Sequence, residues 1–255
     1  MSGRVGSLWI EPDWVLPAGV RAVMTTRRGG ASPAPYDSLN LGLHVGDRPE
    51  FVLANRAALA QSLALASIAW LDQVHAADVV DIDAEGSERV HRADASVTSR
   101  AGVALAIMVA DCLPVLMARR DGSRVGGAHA GWRGLASGVV LRALEAMSAR
   151  PAEVTCWLGP AISPKHYEVD EGVRASFDAA FAHCFTQSRP GHYRMDLAGI
   201  AEAQLRSAGV LEVVRSGECV FTARDQWFSH RRDRVTGRCA ALIWREGSLR
   251  EGLGS

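Results

Sequence analysis

VALAIMVADCLPVLMA, residues 103–118, holds two apolar runs separated by Ala110-Asp111-Cys112. Short runs of Val, Ile, Leu and Met without interleaved polar residues read as strands covered on both faces. Val103–Val109 and Leu113–Met117 are therefore the predicted centre of the core. Neither run approaches the roughly 20 apolar residues that a membrane-crossing helix needs. Asp111 and Cys112 break the run between two core strands, where a loop can aim a side chain into a cleft.

Outward from this centre, strands are predicted at 21–26, 70–74, 79–83, 124–129, 154–158, 211–215 and 240–244. Asp47 and Glu50 have capping-box spacing with Pro49 in the first turn, which predicts a helix from Arg48 with Val52, Leu59 and Leu63 inward. Val140, Leu144 and Met147 recur at helical spacing. Asp196 is placed to cap a helix carrying Leu197, Ala201 and Leu205, with Gly209 as its stop. Strands and helices mix without a steady βαβ rhythm, so the reading is α+β with mixed sheets, as one domain over residues 1–255. Neither GxGxxG nor GxxxxGK[ST] occurs, which removes the usual glycine-rich nucleotide signatures.

The 255 residues are 48% hydrophobic, enough for a large core, and carry 28 basic and 28 acidic side chains. That balance gives no electrostatic case for nucleic acid or an anionic membrane and points to a small-molecule or protein partner. The N-terminal MSGRVGSLWIEPDW has no signal-peptide apolar region. Five widely spaced cysteines without a CxxC pair argue against a disulfide framework and for a reducing, cytoplasmic location.

Three residues sit in unusual local sequence: His75 at the end of WLDQVH, Cys112 in VADCLPVL and His129 in GGAHAGWRG. Two imidazoles and a thiolate fill three positions of a tetrahedral zinc site and leave the fourth open, as catalytic sites do. The gaps, 37 residues and then 17, match no zinc-finger spacing. On the residues alone two other readings stand. One is a buried cysteine with two hydrogen-bonded histidines. The other is a metal-free pair with Cys112 as nucleophile and His129 or His75 as base. A non-catalytic binding module is a further class.

Several long segments occur together in order: TTRRGGASPAPYDSLNLGLHVGD (25–47), NR (55–56), WLDQVH (70–75), ADASVTS (93–99), VADCLPVL (109–116), GAHAGWRG (127–134), LGPAIS (158–163), YEV (167–169) and FSHRRDRVTGR (228–238). In these the chain resembles the laccase-domain family, also called multicopper polyphenol oxidase-like or YfiH-like. The one visible departure is Ala76, where the usual motif has glycine. The resemblance implies a four-layer α/β/β/α fold with mixed sheets, similar to a toxin cysteine hydrolase domain. It implies zinc on His75, Cys112 and His129, which then also form the catalytic set. It implies phosphorolysis of adenosine, inosine and methylthioadenosine, with adenosine deamination. For some relatives it implies instead removal of a misplaced serine from a UDP-linked muramic acid precursor of peptidoglycan. The partners expected are purine nucleosides and phosphate; the oligomeric state is left open.

Asn40, Arg56, Gln73 and Arg133 are the expected substrate-binding residues. Asn40 lies in SLNLGLHVGD, beside His44, and is otherwise a backbone satisfier. Arg56 falls on the predicted polar side of the first helix and is available for an anion. Gln73, two residues before His75 on a predicted strand, shares its face and is placed to meet a purine edge. Arg133 either clamps phosphate with its planar fork or pairs with Asp111. Arg231 and Arg232 read as a solvated or ion-paired pair. The laccase label fails a count: a multicopper oxidase needs a three-copper cluster of many imidazoles, and this chain has eight histidines with no His-x-His pair. Copper is expected only as an adventitious occupant of a zinc-type site, giving at most incidental polyphenol oxidation.

Overall fold

The computed structural model describes residues 8–247. The two apolar runs of 103–118 part company at the break. Val103–Val109 joins a five-stranded sheet in the order Trp9–Ile10, Val20–Thr25, Cys239–Arg245, Val103–Val109, Ser67–Ala69. Leu113–Arg119 joins a six-stranded sheet in the order Glu212–Arg215, Val154–Leu158, Leu113–Arg119, Val125–Ala130, Ala95–Thr98, Val79–Asp81. Both sheets are mainly antiparallel with parallel pairs at their edges: Ser67–Ala69 beside Val103–Val109 in one, and Val79–Asp81 and Glu212–Arg215 in the other.

Strand Val103–Val109 shows why its sequence does not alternate. Leu105, Ile107 and Val109 belong to the large core cluster, whereas Ala104, Ala106 and Met108 belong to a second cluster on the opposite face. That second cluster includes Leu59 of the helix Pro49–Ser62, together with Leu39 and Leu41. Each such fully buried leucine contributes roughly 1.5–3 kcal/mol relative to exposure. The helices Val139–Ala146 and Leu197–Ser207 bury their apolar faces against the six-stranded sheet. The order helix, sheet, sheet, helix is the layering that the family resemblance implies, in a single-domain mixed α/β fold.

The two sheets approach closely at Gly127, where a Cβ would lie 2.8 Å from Ile107 Cγ1. Gly126 faces the other way, toward Met147 and Val97. His129, two residues beyond Gly127, therefore shares the face turned toward the five-stranded sheet.

Most predicted elements form within a residue or two. Asp196 caps its helix by accepting from Gly199 N at 2.9 Å. The capping box at Asp47 does not form: Asp47 accepts from Asn40 Nδ2 and Arg48 N, and the helix starts on Pro49 without a side-chain cap. The predicted strand 79–83 stops at Asp81, which caps a short helix, Ile82–Glu85. A three-stranded sheet of Glu168–Asp170, Phe185–Arg189 and His192–Met195 was not expected; its residues are largely exposed and show no clear periodicity. All five cysteines are free thiols. No helix among the described residues is long and apolar enough to cross a membrane.

Candidate metal centre

The strand predicted at 70–74 shrinks to Leu71–Asp72 because a side chain takes the backbone that follows. The Asp94 carboxylate, fully buried, accepts from Val74 N at 3.1 Å, His75 N at 2.9 Å and Ala76 N at 2.7 Å. Those N–H groups are lost to any sheet ladder, and the chain curls so that His75 adopts φ +61°. The same carboxylate accepts from His129 Nδ1 at 2.8 Å, and the Asp94 carbonyl accepts from His129 N at 2.7 Å. One aspartate thus holds both histidines.

His129 pairs with Pro114 across the sheet, two residues past Cys112. The ligand-type atoms of His75, Cys112 and His129 all lie within 4.8 Å of one another. Cys112 Sγ is 3.9 Å from His75 Nε2, and the two imidazoles meet edge-on with centroids 4.7 Å apart. His129 is buried, Cys112 half-buried and His75 exposed, so the cluster opens on one side. Gly131 leaves it room: a Cβ there would sit 2.9 Å from Cys112 Sγ and 3.2 Å from His75 Cδ2.

The donor set fits a metal. With His129 Nδ1 hydrogen-bonded to Asp94, the other ring nitrogen, Nε2, is free to ligate, a support common to metal-bound histidines. Without a metal the groups answer one another. Burial opposes the Cys112 thiolate, but His129 and His75 outweigh it and bring the thiol down to about 6. Burial likewise opposes a charged His129, but Cys112 and Asp94 push it up to about 9. Burial also works against the Asp94 carboxylate, and the bonds from His129 and the 75–76 backbone still hold it below the ordinary value.

Asp111, next to Cys112, has φ +111°, a conformation that costs a non-glycine residue about 1–3 kcal/mol. Its carboxylate accepts from Ser229 Oγ and Arg231 N, both at 2.6 Å, and burial raises its pKa. These bonds tie the strand break to the segment 229–231. Arg231 lies over the Tyr167 ring and donates to the Glu168 carbonyl. Arg232 pairs with Asp233 and donates to three carbonyls, so it is not solvated.

The expected substrate residues fare differently. Asn40 is fully buried and all four of its hydrogen-bonding positions are used: Oδ1 accepts from Gly42 N and Arg238 N, and Nδ2 donates to Gly42 O and Asp47. Gln73 is not on a strand. Its amide bonds both backbone groups of Met108 at 2.8 Å, continuing the edge of the sheet in place of a strand. Arg56 turns inward and not to solvent: it stacks on Trp70 at 3.9 Å and donates twice to the Leu41 carbonyl. Its neighbour Asn55 holds the 31–40 loop through Ala31, Ser32, Ser38 and Asn40. Arg133 does not pair with Asp111, whose oxygens are taken; it is exposed and stacks on Trp132 at 4.4 Å. The sequence reading gave no role to Asp94, Ser229, Tyr167 or Arg238. All four lie inside the quoted motifs, which was the available signal.

The molecule is thus a mixed α/β protein built on two large sheets, with an open His-Cys-His cluster where they meet that is, among the described residues, the one such group able to hold a metal ion. Residues 21–246 match the family model described as multi-copper polyphenol oxidoreductase laccase, and the chain belongs to that family. It is 46% identical over 240 residues to the Pseudomonas aeruginosa protein named purine nucleoside phosphorylase PA4543, covering 92% of this chain and 98% of that one. It is 43% identical over 239 residues to Escherichia coli purine nucleoside phosphorylase YfiH, with the same coverage of 92% and 98%. The crystal structure of Neisseria meningitidis protein NMB0706 superposes with a TM-score of 0.91 at 43% identity, over 94% of this chain and 100% of that one.

Proposed function

We propose that this chain is a zinc-dependent purine nucleoside phosphorylase acting on adenosine, inosine and methylthioadenosine, with adenosine deamination as a second activity. The observation that carries the reading is the cluster of His75, Cys112 and His129, built on Asp94 in a chain so similar to proteins named for this activity. In this reading the three residues hold the ion. When bound, zinc supplies Lewis-acid polarisation at the reacting centre.

The protein's own groups do the rest. Asp94 fixes the tautomer of His129 and the turn that presents His75. Arg231, tied to Asp111 beside Cys112, lies over the Tyr167 ring, and Arg133, two residues past Gly131, is exposed. In phosphorolysis a phosphate oxygen bonds to C1′ of the ribose as the C1′–N bond breaks. The electron pair leaves with the purine, which then takes up a proton. Positive charge develops on the sugar, so the site must hold the incoming anion close and in line. Deamination adds water at C6 and expels ammonia, and needs no phosphate. The location proposed is the cytoplasm, where five free thiols stay reduced. Copper in the site would be adventitious.

A metal-free cysteine hydrolase is the second reading, favoured by the low Cys112 and high His129 pKa values, which describe a thiolate–imidazolium pair. A turnover screen separates the two. The purified protein is given each nucleoside, with and without phosphate, and a muramoyl-peptide precursor. Phosphate-dependent release of base supports the proposal. Turnover of the precursor alone, with a covalent adduct on Cys112, overturns it.

A further inference from the structure

A partly desolvated guanidinium with no carboxylate partner is ready to take an anion, and Arg238, half-buried, is in that position. It precedes the strand Cys239–Arg245, in which Cys239 stands opposite Val109. That register sets Arg238 across from the break at Ala110-Asp111-Cys112. Its surroundings fix it firmly. Asn40 Oδ1 accepts from Arg238 N, and the Arg238 carbonyl accepts from Leu41 N. Gly42 makes way for the side chain, since a Cβ there would lie 2.8 Å from Arg238 Cγ and 3.4 Å from His44 Cε1. This gives Asn40 its purpose: it locks the 40–42 loop to Arg238 so that His44 and Arg238 stand side by side.

The donors of Arg238 are only partly used. Of the five N–H groups of a guanidinium, those on Nη1 reach the carbonyls of Thr236 and Gly237. Nε and Nη2 have no partner among the described residues, and Arg238 has no ion pair there. Burial works most strongly against its charge, and Cys112, Asp111 and Cys239 favour it; the positive groups that act on His44 include Arg238 and His129. Asp111 is already bonded to Ser229 and Arg231. Other arginines in the quoted motifs are more fully used or more exposed: Arg56 on Leu41 and Trp70, Arg232 on Asp233, Arg133 at the surface.

We propose that Arg238 holds the oxyanion co-substrate, inorganic phosphate, beside the His75–Cys112–His129 cluster, with His44 at its rim. The inference rests on the phosphorylase reading for its ligand, not for its geometry. A planar fork with one Nε–H and one Nη2–H free grips two oxygens of a tetrahedral anion. Placed beside the cluster, that anion would lie against the reacting centre and not at the surface where Arg133 stands.

The test is binding of inorganic phosphate alone to the full-length, metal-loaded protein by calorimetry, followed by the phosphate KM for inosine. Loss of a charge-assisted bidentate contact of about 1.5–3 kcal/mol predicts at least a roughly ten-fold weaker affinity in Arg238→Gln. Arg238→Lys keeps the charge without the fork and should fall in between, with metal content and melting temperature as in the wild type. The exposed, distant Arg142→Gln should change nothing. In Arg238→Lys the phosphate KM should rise while the inosine KM holds. Wild-type affinity in both Arg238 variants, no phosphate binding by the wild type, or a larger loss in Arg133→Gln would each overturn the inference. Arg238-dependent phosphate binding in a protein that turns over no nucleoside would uphold it and sink the phosphorylase reading.

Discussion

Asp94 accepts a hydrogen bond from Nδ1 of His129 at 2.8 Å while its carboxylate also gathers the backbone N–H groups of residues 74–76. A single buried charge therefore sets the shape of the loop bearing one histidine and the ring orientation of the other.

Asp94→Asn tests this relationship. An amide offers one acceptor oxygen and turns an NH2 toward N–H donors, so the fold should lose about 3 kcal/mol. Metal affinity should fall about 10–100-fold, as for other supports of ligating histidines. The pH dependence follows from the depressed carboxylate pKa. Its stabilisation is complete above the unfolded value of about 3.9 and is lost as pH falls through the lower folded value. The stability gap between wild type and variant, measured by urea unfolding, should be widest above about pH 5 and close in acid. A gap independent of pH would contradict the assignment.

Gly131→Ala isolates the space beside the cluster. Gly131 has φ −70°, which alanine adopts freely, so the backbone has no reason to change. The added methyl meets Cys112 and His75. Metal occupancy by elemental analysis should drop while the melting temperature moves by no more than about 4 °C. Full occupancy would show that the cluster opens elsewhere.

The metal-stripped protein should be alkylated at Cys112 with a midpoint near pH 6, because His129 and His75 favour the thiolate. An ordinary thiol would give about 8.5. The thiolate form is the reactive one, so the rate rises with pH through that midpoint. Adding zinc should protect the residue, read by mass spectrometry of the labelled peptide. A midpoint near 8.5 would mean that the histidines do not act on the sulfur.

Arg133 has no hydrogen bond to the cluster, only its stack on Trp132. Arg133→Ala should therefore keep its metal, lower phosphorolysis a few-fold, in keeping with the roughly 0.2–1 kcal/mol of an exposed charge, and leave deamination in place. Parallel loss of both activities and of metal would make Arg133 a brace for the His129 loop.

The core was readable because burial leaves a strong mark: 103–109 and 113–118 are apolar on both faces, and the glycines of 126–131 mark close approaches. That the two strands enter different sheets was not readable, since periodicity says which face is buried and not which strand lies alongside. The strand predicted over 73–74 failed because Asp94, some 20 residues away, takes its N–H groups. The cluster itself was legible only through motif resemblance, as gaps of 37 and 17 residues carry no local geometry. Gln73, Asn40 and Arg56 each sit in a conspicuous motif, and the structure turns their polar groups mainly to backbone, an arrangement that no sequence spacing shows.

The central claim is that Cys112 holds a catalytic metal. Its most direct test is ribose 1-phosphate formation from inosine by Cys112→Ser, a neutral hydroxyl being a poor substitute for thiolate on zinc. The account predicts a folded protein without zinc and without product, beside a wild type carrying about one zinc per chain. Full phosphorolysis by Cys112→Ser would contradict it.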